Sequence, residues 1–155
     1  MSLGEVGHAD EITGLGLDAL NATLVSSSKD KSVKIWDFYR CKLTKSVSFD
    51  FPVTNLCYNR VNDLVAIACS DLSITLLNGR ADLKRVRFFE DACMNKVTDL
   101  SFSQPDARWL LASSLDSCIR VWDIITGCLI DWVKFKNAPL SLDFSPSGEF
   151  LATSH

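Results

Sequence analysis

The chain has 155 residues, of which 47% are apolar and 23% charged, and its 16 Lys and Arg stand against 19 Asp and Glu. This is the composition of a globular domain and excludes an intrinsically disordered chain. The net charge of −3 argues against nucleic-acid binding driven by the neutralisation of phosphates alone. No apolar run approaches the ~20 residues of a membrane span, so we expect no membrane partner. Residues 1–10 show no apolar segment of a secretory signal.

The cysteine spacing argues against a metal site. Six cysteines are scattered without a C-x-x-C pair or a short zinc spacing: Cys41, Cys57, Cys69, Cys93, Cys118 and Cys128. We expect all six to be small buried apolar residues in a reducing compartment, with no disulfide, no metal and no cofactor.

Internal repeats organise the sequence. Three tetrapeptides, 41 and 44 residues apart, align with one another: Ile12–Leu15, Val53–Leu56 and Val97–Leu100. Each is followed by an aspartate with a recurring dipeptide six residues further on: Asp30 with Trp36-Asp37, Asp71 with Leu77-Asn78, and Asp116 with Trp122-Asp123. A fourth copy starts at Leu140. We therefore predict repeats at about residues 8–50, 51–90 and 91–136, and an incomplete one at 137–155.

Within the repeats the apolar residues alternate with period two, as Val33 and Ile35 do around Lys34. This period is typical of strands, and turn residues such as those at 145–148 separate the strands. The sequence thus predicts an all-β chain of four-stranded units. A β-sandwich could have strands of similar length, but a period of about 40–45 residues with a Trp-Asp dipeptide resembles WD repeats. The expected fold is a WD-repeat β-propeller fragment of about three and a half blades.

The WD-repeat resemblance assigns structural roles to the recurring polar residues. It implies that His8, Ser26, Asp30 and Trp36 form one hydrogen-bonded set in the first repeat. The later repeats keep part of this pattern, namely Asp71, Asp116 and Trp122. The second repeat has Leu77 and Asn78 in place of Trp and Asp, and the third lacks the Gly-His and has Ala112 in place of the serine. We therefore expect these blades to rely on packing alone and to be softer. A closed propeller usually has seven blades, so we expect a longer natural protein and possible self-association of this fragment through its open blade faces.

No catalytic constellation emerges, and we expect the protein not to be an enzyme. A Ser-His-Asp reading of Ser26, His8 and Asp30 requires an exposed Oγ beside an oxyanion hole, which a mid-strand serine does not offer. Glycine loops that cradle phosphates are also absent, because the seven glycines are scattered.

The densest basic run is on the predicted outermost strand of the second blade. Its cations, Lys84, Arg85 and Arg87, are tentative contacts for RNA or an acidic partner, although charges also discourage edge-to-edge pairing of strands. The outer strands also carry aromatic residues, which we expect to be inter-blade core rather than exposed partner anchors: Phe88, Phe89, Trp132 and Phe135.

Two stretches that blade geometry does not demand suggest a specific family. They are Gly127-Cys128-Leu129-Ile130-Asp131 and Phe150-Leu151-Ala152-Thr153-Ser154-His155. Together with Gly7 to Leu15 and Arg108-Trp109-Leu110, they resemble the Utp-twenty-one or WDR-thirty-six family of the small-subunit processome. The resemblance covers essentially the whole chain and points to the second of that family's two propellers.

The resemblance implies a non-catalytic scaffold in the nucleolus, within the nucleus, that supports pre-rRNA processing and small ribosomal subunit biogenesis. The implied partners are other propeller-bearing processome subunits, with small nucleolar RNA and pre-rRNA associated indirectly. An alternative is a peptide-binding WD propeller, such as a ubiquitin-ligase substrate receptor or a chromatin reader. Direct RNA binding ranks third, and lipid-headgroup binding fourth, since the sequence lacks paired arginines.

Overall fold

The computed structural model describes residues 7–20, 22–79, 83–90 and 92–155. Throughout these ranges the regular structure consists of strands, and no helix there could cross a membrane. The fourteen strands are β1 Ile12–Leu17, β2 Thr23–Ser28, β3 Ser32–Asp37, β4 Lys42–Ser48, β5 Val53–Asn59, β6 Leu64–Cys69, β7 Ile74–Asn78, β8 Arg85–Phe89, β9 Val97–Phe102, β10 Trp109–Ser114, β11 Cys118–Asp123, β12 Leu129–Lys134, β13 Ser141–Phe144 and β14 Leu151–Ser154.

The strands form three four-stranded antiparallel sheets and one two-stranded sheet. In each sheet the strands lie side by side in chain order, so that every connection is a hairpin. The first strands of successive sheets (β1, β5, β9 and β13) contact one another, which places them at the inner margin. The sheets are therefore blades: the first is β1–β4, the second β5–β8, the third β9–β12, and the fourth β13 with β14. The predicted all-β propeller fold is confirmed.

Apolar cores fill the spaces between neighbouring blades. Val25, Ile35 and Leu77 belong to the cluster between the first and second blades. A larger cluster, which includes Leu76 and Trp122, joins the second and third blades. A smaller one connects the third blade with the hairpin of the fourth: Leu111, Ile119 and Leu142. Burial of these side chains is the main favourable term in the stability of the stack.

A bulge recurs in each complete inner strand. The pairing skips one threonine between Ile12 and Gly14, and again between Val53 and Asn55. In β9 the skipped residue is Thr98, whose Oγ1 lies 2.7 Å from Ser113 Oγ, as that of Thr13 lies 2.9 Å from Ser27 Oγ. The repeated threonine of the aligned tetrapeptides thus ties the bulge to the next strand.

The residue after each of these threonines shapes the contact between inner strands. Asn55 Nδ2 donates to the carbonyl of Thr98 at 2.9 Å. Asp99 accepts hydrogen bonds from the N–H and the hydroxyl of neighbouring residues in the fourth blade, Leu142 and Ser141, both at 2.9 Å. Gly14 takes this position in the first blade, where a Cβ would come within 2.7 Å of Leu56 Cβ. Polar side chains thus link the later blades, and close packing joins the first two.

Candidate functional site

The polar set of the first blade forms a continuous hydrogen-bonded network. Trp36 Nε1 donates to Ser26 Oγ at 2.8 Å, and this hydroxyl lies 2.7 Å from His8 Nε2. On the other side of the ring, His8 Nδ1 lies 2.9 Å from Asp30 Oδ2. A neutral imidazole with its proton on Nδ1 satisfies all three contacts, since it donates to the carboxylate and accepts from the serine.

Asp30 is the buried charge in this network. Burial opposes its ionisation, but hydrogen bonds from the hydroxyl of Ser32, the N–H of Ala9 and the ring of His8 outweigh that effect. They hold the pKa of Asp30 well below its usual range. The side chains of His8 and Asp30 are 3% and 11% exposed, so the pair serves the fold and does not face solvent.

The turn aspartates have the same role in all three complete blades. Each accepts the N–H of the second residue after it: Asp30 from Ser32 at 2.9 Å, Asp71 from Ser73 at 3.2 Å, and Asp116 from Cys118 at 2.9 Å. The intervening residues have positive φ, at 65° for Lys31, 69° for Leu72 and 66° for Ser117. The carboxylate thus stabilises a left-handed turn between the two middle strands of the blade.

The third blade replaces the histidine network with an ion pair. Arg120 Nη1 donates to Asp116 Oδ2 at 2.8 Å, and both side chains are at least 87% buried, being 13% and 12% exposed. Burial alone would favour the neutral forms, yet the contact lowers the pKa of Asp116 and raises that of Arg120. The expectation that this blade relies on packing alone is therefore wrong, because an arginine on β11 supplies the missing partner.

Cys93 lies where the first blade has its histidine. Met94 donates its N–H to Asp116 as Ala9 does to Asp30, so Cys93 corresponds to His8. Its thiol is buried, and desolvation raises its pKa to about 11. The expectation of six buried cysteines is wrong for Cys41 and Cys128, which are exposed between strands, and Cys57 is half-buried. Among the described residues, no cluster of three potential metal ligands occurs.

The second blade comes nearest to stability by packing alone. Leu77, at the tryptophan position, is 1% exposed within the core shared with the first blade. Asp71 keeps its turn contacts and accepts the Ser73 hydroxyl at 2.7 Å. Thr75, at the position of Arg120, is also buried.

The basic run divides between the fold and the surface. Lys84 and Arg85 are exposed on the outer edge of the second blade, and the Arg85 guanidinium lies 5.3 Å from the centre of the Phe88 ring. Arg87 Nε donates to the carbonyl of Ile124 at 2.7 Å. A second nitrogen, Nη2, contacts the carbonyl of Ile125. Arg87 therefore bonds to the third blade, and Lys84 and Arg85 remain the predicted partner contacts.

The outer aromatic residues differ from one another in burial. Phe89 is 8% exposed and packs against Trp122 at 5.8 Å between ring centres, and Phe135 is half-buried. Phe88 and Trp132 are 47% and 57% exposed, so the expectation of core positions is wrong for these two. Both lie on inter-blade faces, but at the outer strand, beyond the reach of the neighbouring core.

A groove of about 360 Å³ borders Trp132 on the outer part of the third blade. Its walls include Leu129, Trp132 and Lys134 from β12, and Met94 from the loop before β9. Arg120 and its partner Asp116 lie at its base. No sequence pattern indicates this groove beyond the alternation that places Trp132 and Lys134 on one face of β12.

Comparisons with known proteins agree with this geometry. A family model described as the WDR36/Utp21 second beta-propeller domain matches residues 2–155. The chain belongs to this family. The predicted WDR36/Utp21 resemblance is thereby confirmed.

Curated relatives of the WDR36/Utp21 family match nearly all of this chain. U3 small nucleolar RNA-associated protein 21 of Saccharomyces cerevisiae is 38% identical over 148 residues, which cover 96% of this chain and 15% of the relative. WD repeat-containing protein 36 of Homo sapiens is 36% identical over 148 residues, which cover 96% of this chain and 16% of the relative. The U3 small nucleolar RNA-associated protein 21 homolog of Schizosaccharomyces pombe is 36% identical over 146 residues, which cover 93% of this chain and 16% of the relative. The chain thus spans about one sixth of the length of these relatives.

Proposed function

We propose that the protein is a non-catalytic scaffold of the small-subunit processome. It acts in the nucleolus and supports pre-rRNA processing and small ribosomal subunit biogenesis through protein–protein contacts. The observation that carries this proposal is membership of the WDR36/Utp21 family over residues 2–155. Two relatives are named for association with U3 small nucleolar RNA, which supports the same assembly.

The burial of the candidate triad supports a non-catalytic role. Ser26 is 2% exposed, and its Oγ lies between the indole of Trp36 and the ring of His8. No substrate carbonyl can approach a hydroxyl enclosed in this way. The thiols of Cys57, Cys69 and Cys93 are also poor nucleophiles, because burial raises the pKa of each to about 11.

The exposed apolar side chains support a role in protein contacts. Tyr39 is 74% exposed on the β3–β4 turn, and Trp132 is 57% exposed on β12. Exposed aromatic residues of this kind frequently anchor protein interfaces. Two of the basic side chains bind other groups of the same chain: Lys29 forms an ion pair with Glu11, and Arg87 donates a hydrogen bond to a carbonyl of the third blade. This use of charge supports an indirect association with RNA.

Affinity purification of the full-length protein from cells tests the proposal. Mass spectrometry and RNA sequencing of the bound material are expected to recover other propeller-bearing processome subunits with box C/D small nucleolar RNA. Nuclease treatment before elution is expected to leave the bound proteins in place if the contacts are protein–protein. Recovery of cullin adaptors or histones without nucleolar RNA would instead support the peptide-reader alternative.

A further inference from the structure

Strand β12 is an exposed outer edge. All six of its residues, Leu129–Lys134, are exposed, and among the described strands it pairs only with β11. An outer edge presents backbone N–H and C=O groups that can pair with a further strand. Peptide recognition by strand addition uses such edges, with main-chain hydrogen bonds for affinity and side-chain pockets for specificity.

The outer edges of the first two blades differ from β12 in chemistry. In β4 the exposed residues alternate along the strand and are polar: Lys42, Thr44, Ser46 and Ser48. Strand β8 carries Arg85 and Arg87 beside two exposed apolar residues, Val86 and Phe88. Charged side chains protect an edge against pairing with other chains. In β12 four of the six residues are apolar and about half exposed: Leu129, Ile130, Trp132 and Val133. Ile130 and Val133 face the two-stranded fourth blade, whereas Leu129 and Trp132 lie on the face toward the complete second blade. The exposed apolar pair of Leu129 and Trp132 is typical of an interaction site.

The groove beside Trp132 adds a side-chain pocket to this edge. It opens on the face of the third blade that turns toward the second, where Trp122 packs against Phe89. Both of these blades have all four strands, so the groove does not depend on the two-stranded fourth blade. Met94 is 85% exposed at its margin.

The charge of the groove indicates the chemistry of its occupant. Trp132 and Lys134 share a face, because Trp132 pairs with Arg120 and Lys134 with Cys118 on β11. Lys136 is exposed just beyond the strand. The Arg120–Asp116 pair below is internally balanced. The pocket is therefore apolar at Trp132 and positive two residues further on.

We propose that β12 binds an extended segment of a partner protein by strand addition. The segment places an apolar side chain against Trp132 and an acidic one, two residues away on the same face, against Lys134. That spacing follows from the alternation of side chains along a strand. The inference rests on the proposed scaffold function, for which it names the contact surface and the chemistry of the partner segment.

A peptide-binding experiment with the full-length protein tests this proposal without the processome. The probe is a fluorescein-labelled peptide, Thr-Leu-Thr-Glu-Thr-Leu-Thr-Glu-Thr, which repeats the apolar–acidic spacing on one face. One control peptide has Lys in place of Glu, and a second has Pro in place of alternate Thr, which prevents strand pairing. Binding is followed by fluorescence anisotropy.

We expect the acidic peptide to bind and both control peptides to bind at least about tenfold more weakly. Trp132→Ser is expected to weaken binding about tenfold, and Lys134→Gln by a smaller factor with a reduced dependence on salt. The matched variant Tyr39→Ser removes another exposed aromatic residue and is expected to leave binding unchanged.

Equal binding of the proline peptide, absence of binding by the acidic peptide, or indifference to Trp132→Ser would overturn the proposal. Binding of a labelled decauridine that requires Trp132, with no peptide binding, would overturn it in favour of RNA. If the peptide does not bind but processome subunits are still recovered from cells, only the proposed binding surface on β12 is refuted. If those subunits are not recovered, the scaffold function itself is refuted.

Discussion

Arg120 holds Asp116 in the third blade at 2.8 Å, at the base of a network whose counterpart in the first blade is built on His8. The same turn carboxylate is thus satisfied by a guanidinium in one blade and by an imidazole ring in another. The two solutions preserve the turn because Asp116 still accepts the N–H groups of Cys118 and Met94. Their energetic consequences differ, since removing a charged partner leaves a buried carboxylate unpaired.

Replacing Arg120 with methionine is therefore expected to lower the free energy of unfolding by about 2–4 kcal/mol. Urea denaturation followed by circular dichroism measures the change. Arg40→Met is the matched control: Arg40 lies 3.8 Å from Asp37, and the two side chains are 83% and 33% exposed, so a loss below about 1 kcal/mol is expected. Equal losses for the two variants would contradict a special role for the buried pair.

The lowered pKa of Asp30 predicts a loss of stability in acid. Its carboxyl group ionises more readily in the folded protein than in the unfolded chain. Its contribution is present in full above about pH 5 and disappears progressively as the pH falls through 4 and below. Melting temperatures measured from pH 7 to pH 2.5 test this.

Asp30→Asn is expected to melt at a lower temperature than the natural protein at pH 7, with the difference shrinking at low pH. The reason is that the substituted amide keeps a turn acceptor but no longer titrates. Melting curves that stay parallel over the whole pH range would show that Asp30 makes no contribution to acid sensitivity.

The left-handed turn at Lys31 predicts a stabilising substitution. Lys31 is exposed and has a φ of 65°, a conformation that glycine adopts without the steric cost of a Cβ. Lys31→Gly is expected to raise the free energy of unfolding by about 0.5–1 kcal/mol. Lys31→Ala removes the same charge but retains the Cβ, so it should produce no such gain. A gain of equal size from both variants would assign the effect to charge.

The inter-blade contact of Asp99 predicts local loosening of the fourth blade. Asp99→Ala removes the acceptor for Leu142 N–H and Ser141 Oγ. Hydrogen exchange in residues 141–154 is expected to accelerate about tenfold, with little change in the first blade. Asp143→Ala, which removes an exposed carboxylate from the same hairpin, serves as the control. Unchanged exchange in the Asp99 variant would show that apolar packing alone docks the hairpin.

The architecture could be predicted because its signals recur. The spacing from Asp30 to Trp36 returns from Asp116 to Trp122, and even the degenerate second repeat keeps Asp71 at the same distance from Leu77. Period two assigns residues to the two faces of each blade. The period identified the strands, the recurring aspartate and dipeptide identified the repeats, and the WD-repeat resemblance implied the polar set of the first blade.

Two features could not be predicted in this way: the Arg120–Asp116 ion pair, which takes the place of the histidine network in the third blade, and the groove beside Trp132. Arg120 is on a strand at the position of Lys34, which is half-buried and donates to the carbonyl of Gly7 at 2.6 Å. Nothing local in the sequence shows that the arginine pairs with the turn aspartate while the lysine donates to a backbone carbonyl. The alternation predicts an inter-blade face for Trp132, but burial at its position depends on how far the neighbouring blade extends. Inner and outer positions share the same period, so only the assembled blades separate core from surface.

Arg87 links the second and third blades at their outer margin, while Asn55 links them at the inner one. Because hydrogen bonds join the second and third blades at both the inner and the outer margin, we expect the two blades not to rotate relative to each other about the apolar core between them. A force that a partner applies to β12 is therefore shared by two sets of contacts. One is the backbone pairing of β12 with β11, and the other is the pair of contacts between the β11–β12 turn and Arg87 on β8. The third blade is thus held to the second at the β11–β12 turn, next to the strand where we place its partner.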